Sequence, residues 1–260
     1  MIVGPDSSLR KIPTALVRKQ ALFIEGIRFS IEMADLAHRR LLTILPLLTK
    51  MENVSQEAPS GVSAMLDAWS IVDSLHRLRG LVTHMPNIEK RNRAPSIRAF
   101  FDATDKVTEL RNTIQHLDTT IPGIVDDQNW AVLGSLTWGV VDPSTDQITS
   151  SCFMPGAPLG SRSLINPLNR PKWHVPVDGI TLERSGVSLC LSDAMRSVER
   201  LTKSLEEALT NSLDQLPHQG HHAADVTVNL VIQVGPKQVI PEGTLEPEPE
   251  LIPELIPDEA

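Results

Sequence analysis

The chain has no tyrosine, and aromatic residues make up only 3% of its 260 positions. Its core must therefore be aliphatic, which suits helix packed on helix better than an aromatic-rich sandwich. Cysteine is nearly as scarce. Cys152 and Cys190 are too few for a disulfide framework, so both are expected to be reduced and to behave as small apolar residues. Long hydrophobic runs are missing too. The longest, near Leu41 to Leu48, falls far short of the ~20 residues that a membrane span needs. The opening Met1-Ile2-Val3-Gly4-Pro5-Asp6 lacks the basic-then-apolar pattern of a signal peptide. The expected location is the cytoplasm, with no membrane partner. There is no phosphate-cradling glycine loop, no Gly-x-Ser-x-Gly turn and no zinc-type cysteine pair, so no cofactor and no metal is expected. His218, His221 and His222 are close in sequence, but no cysteine or clustered acid accompanies them.

The formal net charge is −8, unevenly spread. Residues 1–100 hold fourteen Lys and Arg against nine Asp and Glu, whereas residues 216–260 hold one lysine against eight acids. A near-neutral body thus has a basic first half and an acidic end. Such a tail either competes with polyanions for the basic surface or keeps the protein soluble.

Apolar spacing of three and four predicts four main helices. The first covers residues 14–50, with Leu16, Phe23, Ile27, Ala34, Leu41, Leu45 and Leu48 on one face. Pro46 is expected to kink or end it. Unbroken, it would reach roughly 50 Å, so it either breaks or packs its excess length against a partner chain. The second covers 61–85, with Val62, Met65, Trp69, Val72 and Val82 inward. A basic connection follows, in which Lys90, Arg91 and Arg93 are candidate RNA-phosphate contacts. The third covers 95–121, with Ile97, Phe100, Val107, Leu110, Ile114, Leu117 and Ile121 inward. Pro95 suits its first turn, and Pro122-Gly123 stops it. The last covers 192–214, from Met195 through Val198, Leu201, Leu205 and Leu209 to Leu213, with Ser192 as N-cap.

Between the third and last helices, residues 130–191 read as a β-hairpin insert. Residues 132–141 and 148–154 flank one turn, and 180–182 and 187–189 flank another. Trp130, Trp138 and Trp173 are expected in the core of this sheet, with base stacking as the alternative. The expected fold is mainly α (α+β): a four-helix bundle in one domain, 1–215, with a small antiparallel sheet inserted before the last helix. Residues 216–260 read as a linker, a possible edge strand around Val226, Val228, Leu230, Ile232 and Val234, and a disordered acidic proline-rich tail.

Chemistry can be argued at one place, Leu110-Arg111-Asn112-Thr113-Ile114-Gln115-His116. Arg79 and His84 repeat the Arg-x4-His spacing, but Gly80 follows Arg79, whereas Asn112 follows Arg111. At ~100° per residue, Asp105, Glu109, Asn112 and His116 form one polar stripe pointing away from the core, and Arg111 flanks the apolar face.

The helix order and the Arg111, Asn112, His116 motif resemble the HEPN family of four-helix-bundle proteins. The resemblance covers the helices and leaves out the sheet and tail. It implies a homodimer in which two motifs line one cleft, and an RNA cut made without a metal, the ribose 2′-hydroxyl attacking the adjacent phosphate. His116 would then move the proton near neutral pH, Arg111 would hold charge on the phosphoryl oxygens, and Asn112 would orient the histidine or a phosphate oxygen. The acids Asp105 and Glu109 on the same stripe count against a polyanion site. Two functions follow. One is a HEPN-like metal-independent endoribonuclease, a toxin or defence component acting on RNA as a homodimer. The other is a non-catalytic helical-bundle interaction or regulatory protein that meets a protein partner through its sheet or acidic tail.

Overall fold

A computed structural model describes residues 1–50, 58–85, 94–117, 131–142, 144–145, 147–155, 176–213 and 225–229, with side chains from residue 60 in the second helix. Residues 1–224 form one compact unit and 225–260 a second. The first unit is mainly helical, with a small four-stranded antiparallel sheet before the last helix. No helix among the described residues is long and apolar enough to cross a membrane.

The first helix, α1, runs over Arg18–Thr49, so it continues past Pro46 and ends three residues after it. Proline removes its own hydrogen bond to the carbonyl four residues back, and its ring crowds that carbonyl. Here that loss falls in the last turn, where buried Leu41, Leu45 and Leu48 hold the helix to the core. The second helix, α2, covers Ala58–His84. It lies antiparallel to α1, since Leu81 meets Gly26 while Asp67 pairs with Arg40. Ile27, Ile31, Ala34, Leu41 and Leu45 of α1 are buried, as are Ala64, Ala68, Ile71, Leu75 and Leu78 of α2. The alanines let the two backbones approach closely. Val62, expected inward, is instead exposed, and Trp69 is half-buried with its indole N–H donating to the Leu133 carbonyl at 3.2 Å.

The single third helix is a further correction. It is two helices, α3 over Pro95–Ala103 and α4 over Val107–Gln115. Buried Thr104 ends α3 by donating its hydroxyl to the Phe100 carbonyl at 2.6 Å. Arg79, reaching over from α2, donates to the Thr104 hydroxyl at 2.7 Å and to the Phe101 carbonyl at 2.8 Å. Its guanidinium also lies 4.9 Å from the Phe101 ring centre. One cation thus satisfies the free end of α3, where orphan carbonyls must find partners.

The sheet has strand order β2-β1-β3-β4, with β1 at Ser135–Asp142, β2 at Gln147–Phe153, β3 at Val177–Arg184 and β4 at Val187–Cys190. Both expected hairpins are present, and β1 also pairs with β3. The sheet is keyed to the end of α1. The Thr49 hydroxyl accepts from Trp138 Nε1 at 2.8 Å and from Ser151 at 3.2 Å, and donates to the Leu45 carbonyl at 3.0 Å. That uses its one donor and both lone pairs. Gly61 of α2 leaves room for the Phe153 ring, which a Cβ there would meet at 2.4 Å.

The last helix, α5, covers Leu191–Leu213 and starts one residue before the expected cap. Ser192 lies inside it and accepts from the Ile180 amide at 3.1 Å, tying α5 to β3, while Cys190 Sγ accepts from the Asp193 amide at 3.4 Å. Residues 225–229 of the second unit carry no strand, and Val226 and Val228 are exposed; the rest of the expected strand and the acidic tail lie outside the described residues.

Arg79→Ala should destabilise the protein by on the order of 2 kcal/mol, because two acceptors lose a charged donor. Urea unfolding of the variant measures this. A loss no larger than that of an exposed-arginine control would contradict the role given to Arg79.

Candidate functional site

The end of α4 falls within the motif. The helix stops at Gln115, and His116 follows it with φ −113° and ψ 42°. Asp105 lies in the break between α3 and α4. Only Glu109 and Asn112 of the expected polar stripe therefore lie inside one helix. Asn112 and His116 are both exposed.

Arg111 turns the other way, towards α2. Its Nε donates to Asp73 Oδ1 at 2.9 Å and its Nη1 to Gln115 Oε1 at 2.7 Å. Asp73 also pairs with Arg77 at 3.6 Å. Next to this pair, His76 Nδ1 lies 3.4 Å from the Thr108 hydroxyl. Burial, aided by the Arg111 charge, pushes His76 below the ordinary histidine value, against the opposing pull of Asp73. The arginine the motif supplies is thus already engaged by a carboxylate, and its charge acts on His76 of α2. The expected RNA contacts Lys90, Arg91 and Arg93 lie outside the described residues, as do Trp130, Trp173, His218, His221 and His222. Trp138 is buried in the sheet as expected. Among the described residues no group of three or more His, Cys, Asp or Glu could hold a metal ion.

Sequence reasoning missed a second constellation. A cavity of about 580 Å³ lies between α1, β3 and α5, and its walls include Asp35, His38, Asp178, Arg196, Glu199 and Lys203. Its volume is in the range of small-molecule pockets. The Asp178 carboxylate is fully buried and accepts from Arg196 Nη1 at 3.0 Å and from the Gly179 amide at 2.7 Å. Asp35, also buried, accepts from Arg39 Nε at 3.1 Å and from the Ile2 amide at 3.3 Å. Lys203 pairs with Glu199 at 2.8 Å. These ion pairs leave the cations and anions of the wall largely matched to one another.

His38 is the exception, since its Nε2 is buried without a hydrogen-bond partner among the described residues. Burial pushes its pKa down; Asp35 and Asp178 pull it up, and Arg196 adds to the lowering. The ring is therefore held in its neutral form, with one ring nitrogen shut off from solvent. The sequence did carry a signal for it. Asp35 and His38 interrupt the buried run Ile31, Ala34, Ala37 and Leu41 on α1. Polar residues inside an apolar stripe need a partner from another element.

A lowered histidine pKa has a definite consequence for stability. The unfolded chain binds the proton more readily than the folded one, so stability is full above the ordinary histidine value of 6.5 and falls as pH drops below it. His76 shifts the same way and adds to the slope. Melting temperature should thus decline between about pH 7.5 and 5.5. His38→Gln and His76→Gln should each flatten the decline, and an unchanged slope in both variants would contradict the burial argument.

No protein-family model matches the chain, and neither a curated protein nor a solved structure matches it.

Proposed function

We propose that this protein is a non-catalytic helical interaction protein. The observation that carries this reading is the engagement of Arg111 by Asp73 and Gln115. A phosphate would have to share the one motif arginine with a carboxylate, and the acids Asp105 and Glu109 nearby oppose a polyanion further. A second observation agrees. Leu22, Phe29, Met33, Leu36 and Leu47 of α1 are exposed, as are Val62 and Leu66 of α2. Large apolar side chains left exposed along one face of α1 favour a protein partner.

The HEPN-like metal-independent endoribonuclease is the second reading. It is favoured by the exposure of Asn112 and His116 beside Arg111. In that reading α3 and α4 together stand for the third helix of a four-helix bundle, with α1, α2 and α5 as the others. The motif faces of two copies would then bind RNA, with Lys90, Arg91 and Arg93 on the phosphates.

The two readings separate in one assay. Purified protein is incubated with RNA in chelator, alongside Arg111→Ala and His116→Ala. The interaction reading expects no cleavage by the wild type above a mock preparation. Cleavage that both substitutions abolish would overturn it in favour of the ribonuclease.

A further inference from the structure

The exposed apolar residues of α1 have an order that solubility does not explain. Leu22, Phe29, Met33, Leu36 and Leu47 are each between 44% and 62% exposed. With Gly26, Arg40 and Thr43 in the intervening places, they follow steps of four and three along the helix. That is the heptad spacing of a helix that packs against another along its length. It lies away from the stripe of Ile24, Ile27, Ile31, Ala34, Leu41 and Leu45 that faces the chain's own core, and it borders α2, whose Leu81 meets Gly26 and whose Asp67 pairs with Arg40. A helix of 32 residues is ~48 Å long, and this second seam uses roughly 38 Å of it.

Resting on the interaction reading, we propose that the partner for this face is a second copy of the same chain, packed antiparallel along α1. The seam overlaps itself along its whole length in one antiparallel register. Leu22 of one copy lies against Leu47 of the other, Phe29 against Arg40, and Met33 against Leu36, each contact occurring twice about the twofold axis. The Phe29 ring already carries Arg28 at 4.1 Å on its own chain, so a ring meeting a guanidinium suits its chemistry.

The charges beside the seam agree with that register. Glu25, Glu32 and Arg39 flank it on one side, seven residues apart. Turned antiparallel, Glu32 of each copy falls beside Arg39 of the other. A parallel pairing in register would instead set Glu32 beside Ala37 of the other copy, five positions on, with no opposite charge to meet. Within its own chain Glu32 already binds Arg10 and Arg28, the latter at 3.3 Å, and Arg39 binds Asp35 at 3.1 Å, so the contact would extend existing ion pairs into a network. Beside the seam a groove of about 430 Å³, lined by Leu36, Arg40, Ile44, Leu47, Ser63 and Asp67, offers room for side chains of the second copy. Val62 and Leu66 of α2 would widen the buried patch, so that two α1–α2 pairs form a four-helix layer across the axis.

Sedimentation of the full chain at tens of micromolar tests the pairing. The wild type should sediment as a dimer, and Leu36→Glu and Met33→Glu should each sediment as monomers with wild-type helical circular dichroism. A monomeric wild type, or a dimer that survives both substitutions, overturns the proposal. Neither result touches the interaction reading, which stands or falls on RNA cleavage. The register has its own test, a nitroxide label on Arg18→Cys in a Cys152→Ser, Cys190→Ser background. Antiparallel packing places the two labels roughly 50 Å apart along the axis. A short distance between them would overturn the antiparallel arrangement.

Discussion

Everything else in the first unit is attached to the antiparallel packing of α1 on α2. Ala34 and Ala37 on one helix and Ala64 and Ala68 on the other keep the contact close, and leucines and isoleucines fill it on either side. This is the aliphatic solution that a chain without tyrosine is obliged to find. Burying a large aliphatic side chain is worth ~1.5–3 kcal/mol, and this contact collects many of them along two long helices. It also fixes the ends from which other elements are hung. Thr49 at the end of α1 receives the sheet, and Arg79 near the end of α2 closes α3.

The same packing decides the fate of the polar residues. On the side of α1 turned towards α5 and β3, Asp35 and His38 are drawn into a charged cavity. On the side of α2 turned towards α4, Asp73 takes hold of Arg111. The motif arginine thus serves a structural contact in the single chain. An exposed salt bridge contributes only about 0–1 kcal/mol, so this contact matters more for where the guanidinium points than for stability.

Periodicity reached the helices and both hairpins because each is a local pattern. It failed where one element borrows a partner from another. The break between α3 and α4 depends on Arg79, twenty-five residues before Thr104, and no spacing within 95–121 announces it. Val62 has a neighbour pattern that fits an inward residue, yet the α1 contact selects the face carrying Ala64, Ala68 and Leu75. Pro46 was legible as a breaker, but its position in the last turn made the lost hydrogen bond tolerable. The candidate site was the least legible part. Arg-Asn-x-x-x-His describes spacing along one helix, whereas the groups that Arg111 meets, Asp73 and His76, come from α2. The second seam of α1 was written in the sequence all along. It became readable only once the structure showed which stripe the chain uses for itself.

A 32-residue helix with one stripe buried at home and a second apolar stripe exposed at heptad spacing is the central feature of this protein. Hydroxyl-radical footprinting across a dilution series tests it most directly, because Phe29 and Met33 are both readily oxidised and both lie on the outer seam. Shared burial predicts that their oxidation falls as protein concentration rises, while exposed Met1, which lies off the seam, keeps its rate. Oxidation of Phe29 and Met33 that stays constant across the series would contradict the account.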